Sequence, residues 1–295
     1  MRPPENQKQD NHNTRTRDLL AAAEVGNIDL LNRLLPLVHI PTVWTKALLH
    51  SSQNGHAECL NVIAAHMDAR SPVAADTWDK MLCAAAKAGH LDCVKELVKR
   101  TNPSNNDSRA LRAAARHGRT EVVEFLLPLS NARARNSEAF VDAAWEGHLE
   151  CLLLLLPHSD PQANNSEALY AAAARGHSSL LRVLLPVSNA LDQNSRSLAR
   201  AAGGGRVECV RLLLPHCDPQ ADNSRALAEA FLSAEWEIFE LLYPLSNAAH
   251  AQRHIPAHSI TGLAQQQWAE RVAACQKRLL EDSVAGKGGA RARKM

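Results

Sequence analysis

Along most of the chain, apolar residues fall into two short helical stripes that return with a fixed period. A glycine separates the stripes: Gly26, Gly55, Gly89, Gly118, Gly147, Gly176 and Gly205, with Ala234 in the last copy. The step between markers is 29 residues, except for 34 from Gly55 to Gly89. Seven residues before each marker stands one large apolar anchor: Leu19, Leu48, Leu82, Leu111, Phe140, Leu169, Leu198 and Leu227. Small residues follow the anchor, as in Ala143-Ala144 and Ala172-Ala173, so the first helix presents a narrow face to close neighbours. Past the glycine, Val122, Val123, Leu126 and Leu127 show the spacing of a second helix. No period-two alternation interrupts this order. A fixed period of this size is the signature of a solenoid, in which each unit buries its apolar face only against its neighbours.

The polar positions punctuate the same unit. Ten residues before the marker come Thr16, Thr45, Asp79, Ser108, Ser137, Ser166, Ser195 and Ser224. Each carries a side-chain oxygen able to cap the first helix, so an N-cap is expected there. The glycine suits the left-handed C-terminus of that helix. An acidic residue three places later, as at Glu58, Asp92 and Glu121, suits the first turn of the second helix. Pro36, Pro128, Pro157, Pro186, Pro215 and Pro244 stop the second helix, while Ala65 and Lys99 stand there in two copies. The connector holds Asn102, Asn131, Asp160, Asn189, Asp218 or Asn247, which turn the chain through their own side chains.

These columns place eight repeats over residues 15–251. Residues 1–14 read as a disordered N-terminus, 252–282 as a linker and capping helix, and 283–295 as a basic flexible tail. In the capping segment Ala264, Trp268, Val272, Cys275 and Leu279 share one helical face. That face either covers the last repeat or binds a partner. The five extra residues of the long step fall within 65–78. Just before the cap position of the second and third repeats, Trp44 and Trp78 either fill a looser junction or mark a contact edge.

The Gly-His pairs at Gly55-His56, Gly89-His90, Gly147-His148 and Gly176-His177, with alanine pairs before the last three, Ser51-Ser52 before the first and Leu-rich helices after, resemble the ankyrin repeat. The resemblance covers most of the chain. It implies an all-α, ankyrin-like helical solenoid of helix-turn-helix repeats, with the histidines fixing loop geometry through hydrogen bonds. Two departures stand out. The leucine of the family's T-P-L-H motif is kept without its proline or histidine, and each unit is about four residues short of the usual length. The deficit falls where ankyrins carry a β-hairpin finger, so the fingers are expected to shrink to tight loops.

Composition narrows the function. Apolar residues make up 45% of the chain and aromatics only 4%, so Ala and Leu carry the core. A net charge of +2 supplies no global field for nucleic acid or acidic lipid. No apolar run is long enough for a membrane span. Cys59, Cys93, Cys151 and Cys209 share one column with Leu30, Val122, Leu180 and Ile238, so they read as buried apolar residues in a reducing, cytoplasmic setting. The polar N-terminus also fits secretion as an effector without a cleavable signal. Gly203-Gly204-Gly205 falls in the repeat register and is no phosphate loop. No metal-ligand spacing, catalytic motif or cofactor site is visible, and an enzyme is not expected.

The resemblance puts helix-one positions five, two and one before the glycine on a concave groove. Here they include His50, Lys87, Arg116, His117, Asp142, Trp145, Glu146, Arg175 and Arg200. Fold-holding columns scarcely change between repeats, whereas these change in charge and size. Trp145, with Arg116 and Arg175 in neighbouring copies, has hot-spot composition, although packing on its neighbours would also account for it. The expectation is a monomeric, non-catalytic scaffold that binds another protein through this groove. The alternative is an effector or inhibitor that blocks a partner macromolecule with the same surface.

Overall fold

A computed structural model describes residues 4–70, 73–255 and 263–292. The chain divides into two compact units, Met1–Asp160 and Pro161–Met295. No strand occurs among the described residues.

The first unit stacks five helix pairs: α1 (Pro4–Val25) with α2 (Ile28–Leu34), α3 (Pro41–Asn54) with α4 (Ala57–Asp68), α5 (Ala75–Ala88) with α6 (Leu91–Leu97), α7 (Asn105–Arg116) with α8 (Thr120–Leu126), and α9 (Ala134–Glu146) with α10 (Leu149–Leu155). The second unit continues with α11 (Ala163–Arg175) and α12 (Ser178–Leu184), α13 (Asp192–Gly203) and α14 (Val207–Leu213), and α15 (Ala221–Leu232) and α16 (Trp236–Leu242). It ends in a short α17 (Ala248–Ala251) and a long α18 (Leu263–Ala292).

The anchor column forms the floor of each core, and Leu19, Leu48, Leu111, Phe140, Leu169, Leu198 and Leu227 are fully buried. The alanine pairs are buried beside it, which lets successive first helices approach closely. Each proline of the second helix that begins a 3-10 turn, as in Leu127–Leu129 and Leu156–His158, sits at its second position. There its missing N–H costs no helical hydrogen bond.

The serine column behaves differently from an N-cap. Ser108, Ser137, Ser166, Ser195 and Ser224 are buried, with left-handed backbone at φ between 57° and 62°. The two residues before each share this conformation, as at Asn164 and Asn165. Asn and Asp tolerate it better than other side-chain-bearing residues, which accounts for their frequency just before the serine. The right-handed helix starts only after the serine. Its hydroxyl therefore turns away from its own helix and accepts the connector N–H of the same or following turn of chain, twenty-three residues on. Ser108 accepts from Asn131 at 2.8 Å, Ser137 from Asp160 at 2.9 Å and Ser224 from Asn247 at 2.8 Å. The connector residue makes the expected side-chain turn, with Asn131 Oδ1 accepting from the N–H of Arg133 at 3.0 Å. This compact turn occupies the place of a projecting finger.

Both ends carry more helix than the sequence pattern indicated. Helix α1 begins at Pro4, so residues 4–14 are helical rather than disordered. Proline fits the first turn of a helix, and no glycine interrupts the run that follows. Helix α18 carries on to Ala292 through most of the stretch read as a flexible tail, and residues 1–3 and 293–295 lie outside the described ones. Part of the linker, 256–262, lies outside them as well.

The capping role of α18 holds within the second unit. Trp268 is 4% exposed and packs edge-on against Phe231 at 4.9 Å and Phe239 at 5.5 Å. Leu279, expected on the same face, is exposed, because the contact ends near the ion pair of Arg278 with Glu240. The long step of the first unit is taken up partly by extending α4 to Asp68. Trp44 and Trp78 are buried there, with Arg70 over the Trp44 ring and Arg100 over the Trp78 ring. They fill the junction.

Candidate binding surface

The seven marker glycines all have positive φ, from 66° to 94°, and Ala234 adopts φ 58° without the freedom of glycine. A second demand falls on Gly26, Gly55 and Gly118. The imidazole of the next repeat lies over each, so that a Cβ on Gly55 would meet His90 Nδ1 at 2.6 Å. The other ring nitrogen donates to a backbone carbonyl near the end of the previous first helix. His56 Nε2 reaches Glu24 O at 2.9 Å, His90 reaches Gln53 O at 2.8 Å and His148 reaches Arg116 O at 3.1 Å. Arg119 takes the histidine's place above Gly89 and donates Nε to Lys87 O at 3.0 Å. These histidines thus brace successive repeats instead of shaping only their own loop.

The bracing aligns the first helices, and their open flank carries the expected binding positions. In the first unit Lys87 and Arg116 are exposed, while His50, His117, Asp142, Trp145 and Glu146 are half-buried. In the second unit Arg175 and Arg200 are exposed.

Several of these charges are already neutralised. Arg116 Nε lies 3.6 Å from Glu146 Oε1, and Arg112 Nε lies 3.2 Å from Asp142 Oδ2. Arg112 also donates to Glu138 at 2.8 Å. An acidic stripe on α9 therefore answers the arginines of α7. Burial raises the Asp142 carboxyl above its usual range, against the pull of Arg112 and Arg116. Asp142 Oδ2 is buried without hydrogen-bond geometry to any partner, which explains why burial prevails. His50 Nδ1 stands 3.8 Å from Glu24.

Two of the expected positions, Lys87 and His117, meet elsewhere, at a depression of about 420 Å³ on α5 and α7. Lys80, Arg109 and Arg119 complete its rim, and Cys83, Ala84 and Ala88 contribute to its lining. Burial pushes the Cys83 thiol up despite the nearby Arg109, Arg112 and Lys87. In the second unit Arg200 lines a depression of about 300 Å³ with Arg196, Arg225, Asp222 and Glu229. There Arg225 pairs with both acids at 3.3 and 3.2 Å, and the three arginines outnumber the two acids by one. Arg196 lies over the Tyr170 ring at 3.9 Å.

The sequence reading missed Lys80, Arg109, Arg196 and Arg225. All four stand nine residues before the marker, a further variable column that holds Arg17, Lys46, Lys80 and Arg109 in the first four copies. That run of basic residues was the available signal.

The cysteines of the shared column are buried, and burial pushes Cys93 up to about 11. All seven cysteines are free thiols. No helix among the described residues is long and apolar enough to cross a membrane. No group of His, Cys, Asp and Glu among them is arranged to hold a metal ion.

The match to a known family agrees with this architecture. The family described as ankyrin repeats matches in three copies, over residues 19–107, 74–138 and 140–223. No curated protein matches the chain. Among solved structures, the human ASB11 ankyrin repeat domain is similar at 20% identity and a TM-score of 0.49, covering 61% of this chain and 95% of that one.

Proposed function

Given that the chain belongs to the ankyrin repeat family, whose repeats are generally protein-interaction modules, we propose that it is a non-catalytic scaffold that holds a partner protein along the open flank of its first helices. The observation that carries this reading is the contrast between columns. Anchors, alanines, serines and marker glycines repeat and are fixed by burial or backbone, whereas the flank positions are accessible and change from repeat to repeat. Short connectors favour the same surface, since compact side-chain turns stand where projecting fingers would otherwise offer contacts.

The candidate contacts are Trp145, Arg116, Lys87, His117, Asp142, Glu146 and His50 in the first unit, and Arg175 and Arg200 in the second. Seven free thiols, four of them buried in one repeated column, favour a reducing, cytoplasmic compartment. The protein acts as a monomer in this reading. Blocking a partner's active surface, as an effector or inhibitor does, would use the same residues.

The test is affinity purification with the intact chain beside two variants. One carries Trp145→Ala, Arg116→Ala and Arg175→Ala on first helices. The other carries Lys95→Ala, Arg182→Ala and Arg211→Ala on second helices. Specific partners should disappear only with the first set. Loss with the second set alone would refute the flank as the binding surface.

A further inference from the structure

The first unit has 18 Lys and Arg against 19 Asp and Glu and so no excess of positive charge as a whole, yet it gathers cations at one place. At the depression on α5 and α7 the rim consists of Lys80, Lys87, Arg109, His117 and Arg119, and no Asp or Glu lines it. Lys80 pairs with Asp76 at 2.6 Å on its outer side. Arg119 spends one N–H on the Lys87 carbonyl, which leaves its charge uncompensated. Neither Lys87 nor Arg109 has a carboxylate partner among the described residues. The neighbouring arginines of α7 are matched by Glu138, Asp142 and Glu146 on α9, so this rim is a local exception.

The spacing of these cations says what they fit. Lys80 and Lys87 are two helical turns apart, roughly 10 Å along α5. Arg109 holds on α7 the repeat position that Lys80 holds on α5 and Lys46 on α3. Neighbouring helices lie roughly 8–10 Å apart, so this basic row crosses the stack with a similar step. A single phosphate is too small to engage such a spread. A peptide in the polyproline II conformation advances about 9 Å per three-residue turn and returns every third side chain to one face, so carboxylates at every third position would meet successive cations. The lining supplies Cys83, Ala84 and Ala88 but no Phe, Tyr or Trp, and therefore no ring on which a nucleobase could stack.

Resting on the groove reading above, we infer that the depression bounded by Lys80, Lys87, Arg109, His117 and Arg119 docks an acidic, Asp/Glu-bearing segment of the partner protein. Encounter is then steered by charge and weakens with salt.

The experiment uses the full chain and a short fluorescein-labelled peptide with glutamate at every third position, read by anisotropy at low and physiological salt. Variant Lys87→Glu/Arg109→Glu should bind roughly tenfold more weakly, as expected for two reversed ion pairs. Variant Arg33→Glu/Lys95→Glu changes net charge equally on second helices and should bind within about twofold of the unaltered chain. Matching far-UV circular dichroism melts show that both variants are folded. Equal loss in the two variants would overturn the inference, because net charge would then suffice. So would tighter binding of an unstructured oligonucleotide or of inorganic phosphate than of the peptide. If the peptide fails to bind while the flank variants still abolish partner capture, this inference falls and the groove reading stands. Failure of both removes the groove reading as well.

Discussion

Gly55 and His90 act as one device across two repeats. The imidazole lies where a Gly55 side chain would project, with Nδ1 2.6 Å from the Cβ position, and its Nε2 donates to Gln53 O at 2.8 Å. The glycine thus serves both a left-handed backbone at φ 83° and the ring of the following repeat. Gly55→Ala should lower unfolding stability by about 2 kcal/mol or more, the sum of left-handed strain and displacement of the ring. His90→Ala should cost about 1 kcal/mol for the lost hydrogen bond. The double variant should cost less than the sum, because part of the alanine's penalty is the collision with the imidazole. Denaturant melts of the four proteins measure the cycle, and strict additivity would mean the pair is not coupled.

Ala234 is the opposite case. It occupies the marker position with φ 58° and is solvent-exposed. Replacing it with glycine should stabilise the protein by about 1 kcal/mol, since a left-handed residue with a Cβ is strained by about that much. A thermal melt checks it, and an unchanged or lower midpoint would show that the backbone relaxes there.

The buried serine column makes a prediction that an N-cap would not. Ser224→Ala leaves the Asn247 N–H without its acceptor, at a cost of about 1–3 kcal/mol. Hydrogen exchange should accelerate at the Asn247 amide, in the connector, while amides of the first turn of α15 change little. Faster exchange in α15 alone would return the serine to a capping role.

Trp268 holds the terminal cap. Its ring is buried against Phe231 and Phe239, so Trp268→Ala should cost about 3–5 kcal/mol and free α18. Limited proteolysis within 263–292 should become fast. Resistance equal to that of the unaltered chain would mean that other contacts suffice.

Asp142 gives a pH signature. Its carboxyl is raised in the folded state, chiefly by burial, so folding binds a proton between the ordinary aspartate range and the raised value. Stability from this group therefore increases as pH falls through that window and decreases as pH rises through it. Asp142→Asn should flatten that part of the stability profile and be tolerated near neutral pH. A steeper profile in the variant would contradict the sign.

Much of this was legible in the sequence, for physical reasons that can be named. The anchors and alanine pairs gave the helices because burial permits little else at those places. The glycines gave the turn because left-handed backbone excludes most residues. The serines misled because a hydroxyl before a helix ordinarily caps it, and the recurring Asn or Asp before it, as in the left-handed run Asn164, Asn165 and Ser166, reads equally well as ordinary turn chemistry. Phe231, in a place held by alanine or, at Ser52, serine in the other copies, was a readable sign that something other than a repeat packs beyond it. The candidate surface was only half legible. Lys87 and His117 lay in the chosen columns, but their companions Lys80 and Arg109 lay one column away, and the pairing of Arg116 with Glu146 depends on side-chain geometry.

The most direct test of the account is site-specific photo-crosslinking on the full chain, with the reactive amino acid placed in turn at Gln53, Lys87 and Arg200 on first helices and at Lys95 and Arg211 on second helices. The account predicts that positions on the first helices capture the same partner protein and that those on the second helices capture none. Capture from Lys95 or Arg211, with none from Gln53, Lys87 or Arg200, would contradict it.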